Sequence, residues 1–312
     1  VQKIYEHFFK KIIDKILKEN FSNNIVFSGG CALNSSANKF ITDKNSMFEN
    51  VFINCAPGDN GGALGAAFVV SANYNQRLTN IKSPFLGKEF NKDQIKEILK
   101  KDRYSKKLTF DYLNSDEELF KTASKFIVNE KVIGWFQGKM EFGPRALGSR
   151  SILADPRSEK MQKNLNLKVK YRESFRPFAP SILREDLSTW FNMNVDSPYM
   201  LLVANINSDK KIKMTNEQKK LFGIDKLNIK RSKIPAVTHV DYSARVQTVT
   251  KNINNRYYDL ISKFKEKTGC PVIVNTSFNV RGEPIVNTPT DAFNCFMGTE
   301  LDYLVIGNCI LD

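Results

Sequence analysis

Short apolar segments that end abruptly in loops rich in glycine, asparagine or serine recur along this chain, and they constrain its fold more than any other feature. Near the start, residues 25–27 lead into a glycine pair, and residues 51–54 lead into the loop 56–62. Each segment predicts a strand that ends in a turn and is followed by a helix. Backbone N–H groups at such a turn can face a phosphate or a ribose. The candidate nucleotide-binding residues of the first turn are Gly29, Gly30 and Asn34.

Asp59 lies in the second of these loops, just before a run of small residues over 63–70 that predicts a helix able to pack close to a sheet. A carboxylate at the end of a strand can bind a metal ion or the cation that accompanies a nucleotide. An aspartate that caps the following helix is equally compatible with this spacing. Asp59 is therefore a candidate metal ligand, and the capping alternative stays open.

Residues 141–151 carry the strongest functional signal. They read Glu-Phe-Gly-Pro-Arg-Ala-Leu-Gly-Ser-Arg-Ser and follow a predicted strand over 131–137. Glycine permits close backbone approach to a ligand, and proline fixes the turn. The guanidiniums of Arg145 and Arg150 suit a carboxylate, carbamate or phosphate. The alternative is a surface turn whose arginines pair with nearby acids.

A second basic segment, residues 168–180, places four cations around aromatic residues and two prolines. On an extended backbone, alternate side chains share a face, so Lys170 and Arg172 would both reach one anionic ligand. The alternative is an edge strand guarded by lysines. Further on, a buried strand over 270–274 ends in Asn-Thr-Ser-Phe-Asn, where Ser277 and Asn279 present a hydroxyl beside an amide to a phosphate, sugar or carbamoyl group.

Composition sets wider limits. A chain of 312 residues with 41% hydrophobic and 26% charged residues predicts a globular protein of two domains, with a boundary near residues 85–110. Five cysteines without a C-x-x-C pair, and no apolar run near the roughly 20 residues of a membrane helix, indicate a cytoplasmic protein with its thiols in the core and no membrane partner. The net charge of +14 favours small polyanionic substrates. Nucleic acid is the less favoured partner, because the lysines are scattered and lack interleaved aromatic residues.

These motifs resemble the ATP-dependent O-carbamoyltransferases of antibiotic biosynthesis and nodulation-factor decoration. The similar segments cover residues 29–34, 57–67, 134–157, 164–181 and 270–291. The resemblance implies an α/β (α+β) protein. It implies the C-terminal part of an actin-like ATPase-fold carbamoyltransferase domain at 1–90, a linker at 91–118, and a YrdC-like, carbamoyl-adenylate-forming domain at 119–312.

The resemblance also implies a reaction. Carbamoyl phosphate and ATP, with Mg²⁺, would yield carbamoyl adenylate, and the carbamoyl group would pass to a hydroxyl of a small-molecule or sugar acceptor at Fe²⁺ or another divalent metal. The Lys-x-Arg and Ser-x-Asn patterns match Lys170, Arg172, Ser277 and Asn279, and the resemblance extends a ligand-binding role to Arg145 and Arg150. Asp59 lies in the loop that supplies the aspartate ligand of the metal.

One departure from the family pattern is that the chain holds only two histidines, His7 and His239. The family's metal-binding histidine cluster would come from sequence before residue 1, so we expect the transfer step to need a further segment or a separate chain. His239 is either a structural residue or part of an acceptor path, and His7 is expected to be exposed. The alternative function is a non-catalytic nucleotide- or RNA-binding module. The sequence does not specify the acceptor.

Overall fold

The computed structural model describes residues 1–42, 48–74, 76, 83–101, 110–227 and 229–312. Its helices are α1 (Gln2–Glu19), α2 (Ser35–Asn38), α3 (Asp59–Asn73), α4 (Lys92–Lys101), α5 (Asp116–Val128), α6 (Met161–Asn164), α7 (Leu187–Trp190), α8 (Asn216–Lys220), α9 (Gly223–Leu227), α10 (Asn255–Thr268) and α11 (Pro289–Met297). Its strands are β1 (Asn24–Phe27), β2 (Asn50–Ile53), β3 (Phe110–Tyr112), β4 (Ile133–Phe136), β5 (Arg150–Ala154), β6 (Ala179–Leu183), β7 (Leu202–Asn205), β8 (Ser243–Val249), β9 (Val272–Ser277), β10 (Tyr303–Ile306) and β11 (Cys309–Leu311). The expectation of a mixed α/β protein is confirmed.

The elements α1 to α3 form a small unit around β1 and β2, which pair in parallel. Helix α1 buries Phe9 and Ile13 against Ala37 and Ile41. Both predicted strand–turn–helix segments are confirmed here, since β1 leads to a glycine turn and β2 leads to α3. None of the described residues of α3 is buried, although the helix is rich in alanine and valine. This unit therefore keeps much apolar surface exposed.

The rest of the described chain is built on a nine-stranded mixed sheet with the order β3-β11-β10-β4-β5-β9-β6-β8-β7. Strands β4, β5 and β6 are buried along their whole length, as expected of strands covered on both faces. Helices α5 and α10 pack on one another and on the sheet. In α5, Leu119, Phe120, Ala123 and Ile127 face the core at helical spacing, and Ser115 caps the first turn by accepting a hydrogen bond from the Glu118 N–H.

Two regular elements, α4 and β3, lie within the predicted linker at 91–118. Residues 102–109 lie outside the described residues, but α4 buries Ile95 and Leu99 in the large core, and β3 pairs antiparallel with β11 at the sheet edge. Apolar residues at i and i+4 of a polar helix are typical of a helix that packs one face on a core. The segment belongs to the large sheet unit, while the domain boundaries as a whole stay a prediction.

The extended conformation predicted for the segment that contains Lys170 and Arg172 is wrong. A π-helical turn, Leu165–Val169, follows α6, and Lys170 continues it with helical backbone angles. Tyr171 then takes the left-handed conformation, with φ of 46°. The expectation that all five thiols lie in the core is wrong for Cys31, which is exposed; the other four are buried. None of the helices within the described ranges is long and apolar enough to span a bilayer.

Candidate functional site

Four arginines from separate parts of the sequence line one cavity of about 310 Å³. The cavity, which we call the arginine cavity, lies where β9 ends and β6 and β8 begin. The arginines are Arg145, Arg172, Arg176 and Arg245. The other lining residues include Pro144, Phe178, Met200, Asn275, Thr276 and Ser277. The structure therefore brings three predicted segments to one cavity. They are the Gly-Pro-Arg loop (143–145), the Lys-Tyr-Arg segment (170–172) and the Ser-Phe-Asn end of β9 (277–279).

Arg145 is positioned by a loop with a rigid base. The buried carboxylate of Glu141 accepts hydrogen bonds from the backbone N–H groups of Leu147 at 2.7 Å and Ser149 at 2.8 Å. Burial raises the pKa of Glu141, and these hydrogen bonds oppose the rise. Gly143 has φ of +135° and lies so close to the Cys55 carbonyl oxygen that a Cβ there would be 2.4 Å from it. Only glycine fits this turn without displacing the backbone.

Lys170 is the centre of a second cluster. Its Nζ donates hydrogen bonds to the Asn279 carbonyl at 2.8 Å, to Asn279 Oδ1 at 2.8 Å and to Ser277 Oγ at 3.3 Å, and it also contacts the Ser277 carbonyl. Ser277 Oγ in turn donates to Asn279 Oδ1 at 2.6 Å. The predicted grouping of Lys170, Ser277 and Asn279 is thus present as a direct hydrogen-bond cluster. Burial, and secondly repulsion from Arg172, lowers the pKa of Lys170 to about 7.

Arg172 is held by a buried asparagine and an aromatic ring. Its Nε donates to Asn166 Oδ1 at 2.6 Å, and its guanidinium carbon lies 5.0 Å from the centroid of Phe178. The Asn166 amide also donates to the carbonyls of Ser174 and Arg176, which fixes the path of the chain around the cavity. Burial, and then repulsion from Arg176, lowers the pKa of Arg172. These contacts position the Arg172 guanidinium at the cavity without a ligand.

Arg245, on β8, was missed by the sequence reasoning, and so was Arg176. Burial, and secondly repulsion from Arg145 and Arg172, lowers the pKa of Arg245 to about 9. The buried Nε atoms of Arg145 and Arg245 have no hydrogen-bond partner among the described residues. The available signal was an arginine in the otherwise uncharged strand Ser-Ala-Arg-Val-Gln-Thr-Val, where a buried cation without an acid needs an explanation.

Arg150 lies elsewhere, although it was predicted to grip the same anion. Its guanidinium donates to the carbonyls of Gln137 (2.9 Å), Gly138 (3.1 Å), Ser149 (3.1 Å) and Lys88 (3.1 Å). It also lies 3.6 Å from the Phe136 ring centroid. Arg150 is fully buried and binds the two ends of the Gly-Pro-Arg loop together. Its placement favours a structural role, and it does not line the arginine cavity.

The remaining candidate residues lie outside the arginine cavity. Gly29 and Gly30 form an exposed turn, and Asn34 caps α2 by accepting a hydrogen bond from the Ala37 N–H. Asp59 is exposed in the first turn of α3. No group of three His, Cys, Asp or Glu residues that could hold a metal ion occurs in the described part of the chain. These residues do not fit a metal ion on their own, so no step is assigned to one.

The two histidines have different surroundings. His7 is exposed on α1, as expected. His239 Nδ1 lies 3.0 Å from Ser243 Oγ, which donates to Asp241 Oδ1 at 2.6 Å. Burial lowers the pKa of His239. The Nδ1 atom of His239 therefore has a hydrogen-bond partner within the protein, which agrees with a structural role for this residue.

The arginine cavity has the properties of a binding site for a multiply charged anion. Its lining within the described residues contains four guanidiniums and no acid, and the pKa values of three of them are lowered mainly by burial. A bound oxyanion would supply the missing counter-charge and partners for the unpaired N–H groups. Such a preorganised set of donors stabilises charge that develops on a phosphate or carboxylate during reaction.

Comparison with known proteins relates the chain to one family. Residues 124–312 match the family described as carbamoyltransferase C-terminus, and residues 1–68 match carbamoyltransferase N-terminus. The chain is 47% identical to an uncharacterized protein of Synechocystis sp., with 100% of the chain and 51% of that protein covered. It is 38% identical to nodulation protein NolO of Bradyrhizobium diazoefficiens, covering 91% and 48%. It is 31% identical to the 3'-hydroxymethylcephem-O-carbamoyltransferase of Amycolatopsis lactamdurans, again covering 91% and 48%. The chain spans about half the length of these relatives.

Proposed function

The chain belongs to the carbamoyltransferase family, and from this premise we propose that its large sheet unit forms carbamoyl adenylate, the activated donor for carbamoylation of a hydroxyl group. Water would release carbamate and phosphate from carbamoyl phosphate. A carbamate oxygen would then attack the α-phosphorus of ATP and displace pyrophosphate. The acceptor hydroxyl would later take the carbamoyl group and release AMP, a step that we assign to the further segment or chain expected from the sequence.

The arginine cavity is the observation that supports this proposal most. The attack on the α-phosphorus places negative charge on the phosphate oxygens, and the guanidiniums of Arg145, Arg172 and Arg245, which line one cavity, would stabilise that charge. A planar guanidinium also binds the two oxygens of carbamate or carboxylate together, which a lysine does less well. Lys170 lies beside this group, hydrogen-bonded to Ser277 and Asn279, and its positive charge would stabilise a nearby phosphate oxygen.

The names of two relatives support a hydroxyl group as the carbamoyl acceptor. One is named an O-carbamoyltransferase acting on 3'-hydroxymethylcephem, and another is a nodulation protein. From these names we propose a hydroxyl-bearing acceptor for the complete system, with Mg²⁺ accompanying ATP.

The test is an incubation of the chain with carbamoyl phosphate, ATP and Mg²⁺, followed by measurement of pyrophosphate. We expect release that depends on carbamoyl phosphate. Release should fall by about 100-fold in Arg172→Ala, because one preorganised donor is lost. The control is Lys263→Met, which removes one positive charge from the surface of α10, where Lys263 pairs with Glu266.

Two outcomes would contradict the proposal. One is a folded chain that releases no pyrophosphate with both substrates present. The other is salt-sensitive RNA binding that survives Lys170→Ala and Arg172→Ala in a chain that releases none, which would favour the alternative of an RNA-binding module.

A further inference from the structure

A buried group of hydrogen-bonded side chains, which we call the amide network, adjoins the arginine cavity. It consists of Ser181 on β6, Gln247 on β8 and Asn275 on β9, and each of them is at most 3% exposed. Gln247 Oε1 accepts hydrogen bonds from Ser181 Oγ at 2.6 Å and from Asn275 Nδ2 at 2.8 Å. Strand β6 lies between β8 and β9 in the sheet, so the two amides meet across β6.

The amide network binds the loop that carries Arg145. Gln247 Nε2 donates to the carbonyl of Leu147 at 2.9 Å, and Asn275 Nδ2 donates to the carbonyl of Ala146 at 3.1 Å. Ala146 and Leu147 are the two residues that follow Arg145 in the chain. The backbone beside Arg145 is therefore attached to β8 through one amide and to β9 through the other.

Electrostatic repulsion acts against this position of Arg145. Burial, and then repulsion from Arg145, lowers the pKa of Arg245, and no acid lines the cavity within the described residues. Like charges in one cavity separate unless the chain holds them together. Arg245 and Gln247 are two residues apart on β8, so their side chains lie on the same face of that strand. The strand that carries one arginine thus also carries an amide that holds the loop of the other.

We propose that Gln247 is a positioning residue of the arginine cavity, which together with Asn275 holds Arg145 near Arg245 so that both bind one anion. This inference rests on the proposed function and adds the residues that position its cations. Gln247 is not among the described residues that line the cavity, so it acts through the loop and does not touch the anion. An amide suits this role, because it accepts and donates hydrogen bonds at once without adding a charge. Donors that are held in place bind an anion more tightly than donors that must first be brought together.

The experiment measures the affinity of the whole chain for inorganic pyrophosphate by calorimetry, in a double-mutant cycle. Gln247→Met removes the amide and keeps a side chain of similar size. It should weaken pyrophosphate binding by about tenfold, the effect of losing one hydrogen bond to a charged group. In the Arg145→Ala background the same change should have almost no effect, because the side chain that Gln247 positions is gone. In the Arg172→Ala background the loss of about tenfold should remain.

The control is Thr248→Val, at the next position of β8. Thr248 is buried and faces the other side of the strand, where its Oγ1 accepts a hydrogen bond from the Ser197 N–H at 2.9 Å. The variant loses a buried hydrogen bond of the same strand without changing the amide network. It should lower the free energy of unfolding and leave the affinity for pyrophosphate as in wild type.

Ser181→Ala provides the test if Gln247→Met does not fold. It removes only the hydroxyl that orients Gln247 and should weaken pyrophosphate binding by about threefold, again only where Arg145 is present. Equal losses in the wild-type and Arg145→Ala backgrounds would overturn the proposal, and so would no loss in either, because a general structural role does not depend on Arg145. Pyrophosphate release tests the proposed function separately, since a chain can show this dependence on Arg145 in binding and still release none.

Discussion

At the scale of single residues, burial without a partner and burial with partners give arginine opposite roles in this molecule. Arg150 has four carbonyl acceptors and an aromatic ring around its guanidinium. The Nε atoms of both Arg150 and Arg245 are unpaired among the described residues, but Arg245 has two arginines as electrostatic neighbours. The first arrangement stabilises the folded chain, because its hydrogen bonds compensate for burial. The second costs folding free energy and is explained by the binding of an anion.

This contrast gives a paired prediction. Arg150→Met should lower the free energy of unfolding by about 3 kcal/mol, because it removes the hydrogen-bond donor of the Gln137 and Gly138 carbonyls. Arg245→Met should leave the free energy of unfolding unchanged or raise it, since it removes a repelled charge, and should lower pyrophosphate release by about 100-fold. Urea unfolding and the pyrophosphate assay measure the two effects. A marked loss of stability in Arg245→Met would contradict the assignment of this residue to the site.

Lys170 predicts a dependence of anion binding on pH. Its pKa is lowered to about 7, so the amine is charged below that pH and becomes neutral as the pH rises through it. Sulfate keeps its charge over this range, and its affinity should therefore fall by about tenfold between about pH 6 and pH 8, below the pKa of Arg245. In Lys170→Gln the affinity should be lower at pH 6 and almost independent of pH. Titration of sulfate by calorimetry at several pH values is the measurement, and a pH-independent wild type would contradict the assignment.

At the scale of elements, the loop between β4 and β5 is the best-supported part of the site. Glu141 binds its backbone N–H groups, and Arg150 binds its carbonyls, so the loop is held from both sides. Gly148 adds a packing constraint. Its φ is +105°, and a Cβ there would lie 2.3 Å from the ring of Tyr257, the nearest atom of which is Cδ1. The loop cannot move away without exposing that buried ring.

Gly148→Ala is therefore expected to destabilise the chain by about 3 kcal/mol or more, because strain at a positive φ and overpacking against Tyr257 add together. The matched control is Gly269→Ala at the end of α10. Gly269 also has a positive φ, of +71°, but nothing lies within 4 Å of its Cβ position. The control should cost only the backbone strain, about 1–2 kcal/mol. Equal losses in the two variants, measured by urea unfolding, would show that Tyr257 does not constrain the loop.

Local sequence predicted the elements well where a strand, a glycine turn and a helix follow one another, as at β1 and β2. It predicted Lys170, Ser277 and Asn279 as one group, and their hydrogen bonds show that grouping. It misplaced Arg150 and overlooked Arg245, because the burial and the neighbours of an arginine depend on which strands pair. The partners of β9, for example, are β5 and β6, whose paired residues lie 90 or more positions earlier in the chain.

At the scale of the whole molecule, the unit formed by α1 to α3 differs from the sheet unit in its surface. Along α1, four apolar side chains recur every four residues and are between 40% and 64% exposed. We call these residues, Ile4, Phe8, Ile12 and Ile16, the α1 stripe. Val69 and Val70 of α3 and Phe52 of β2 are also exposed. Large exposed apolar patches mark surfaces that associate with other molecules, whereas single exposed apolar residues are ordinary.

The α1 stripe therefore predicts that the chain self-associates as its concentration rises. The double variant Phe8→Lys with Ile12→Lys places two charges in the stripe and should reduce the apparent mass at high concentration towards that of one chain, 35.6 kDa, in sedimentation velocity. Phe222→Lys is the matched control, because Phe222 is 93% exposed but lies in the sheet unit, away from the stripe. It should leave the association unchanged. Both variants should release pyrophosphate as wild type does, since the arginine cavity contains none of these residues. A wild-type chain that stays a single chain at all concentrations would show that the exposed stripe does not drive association, whatever the fate of the proposed reaction.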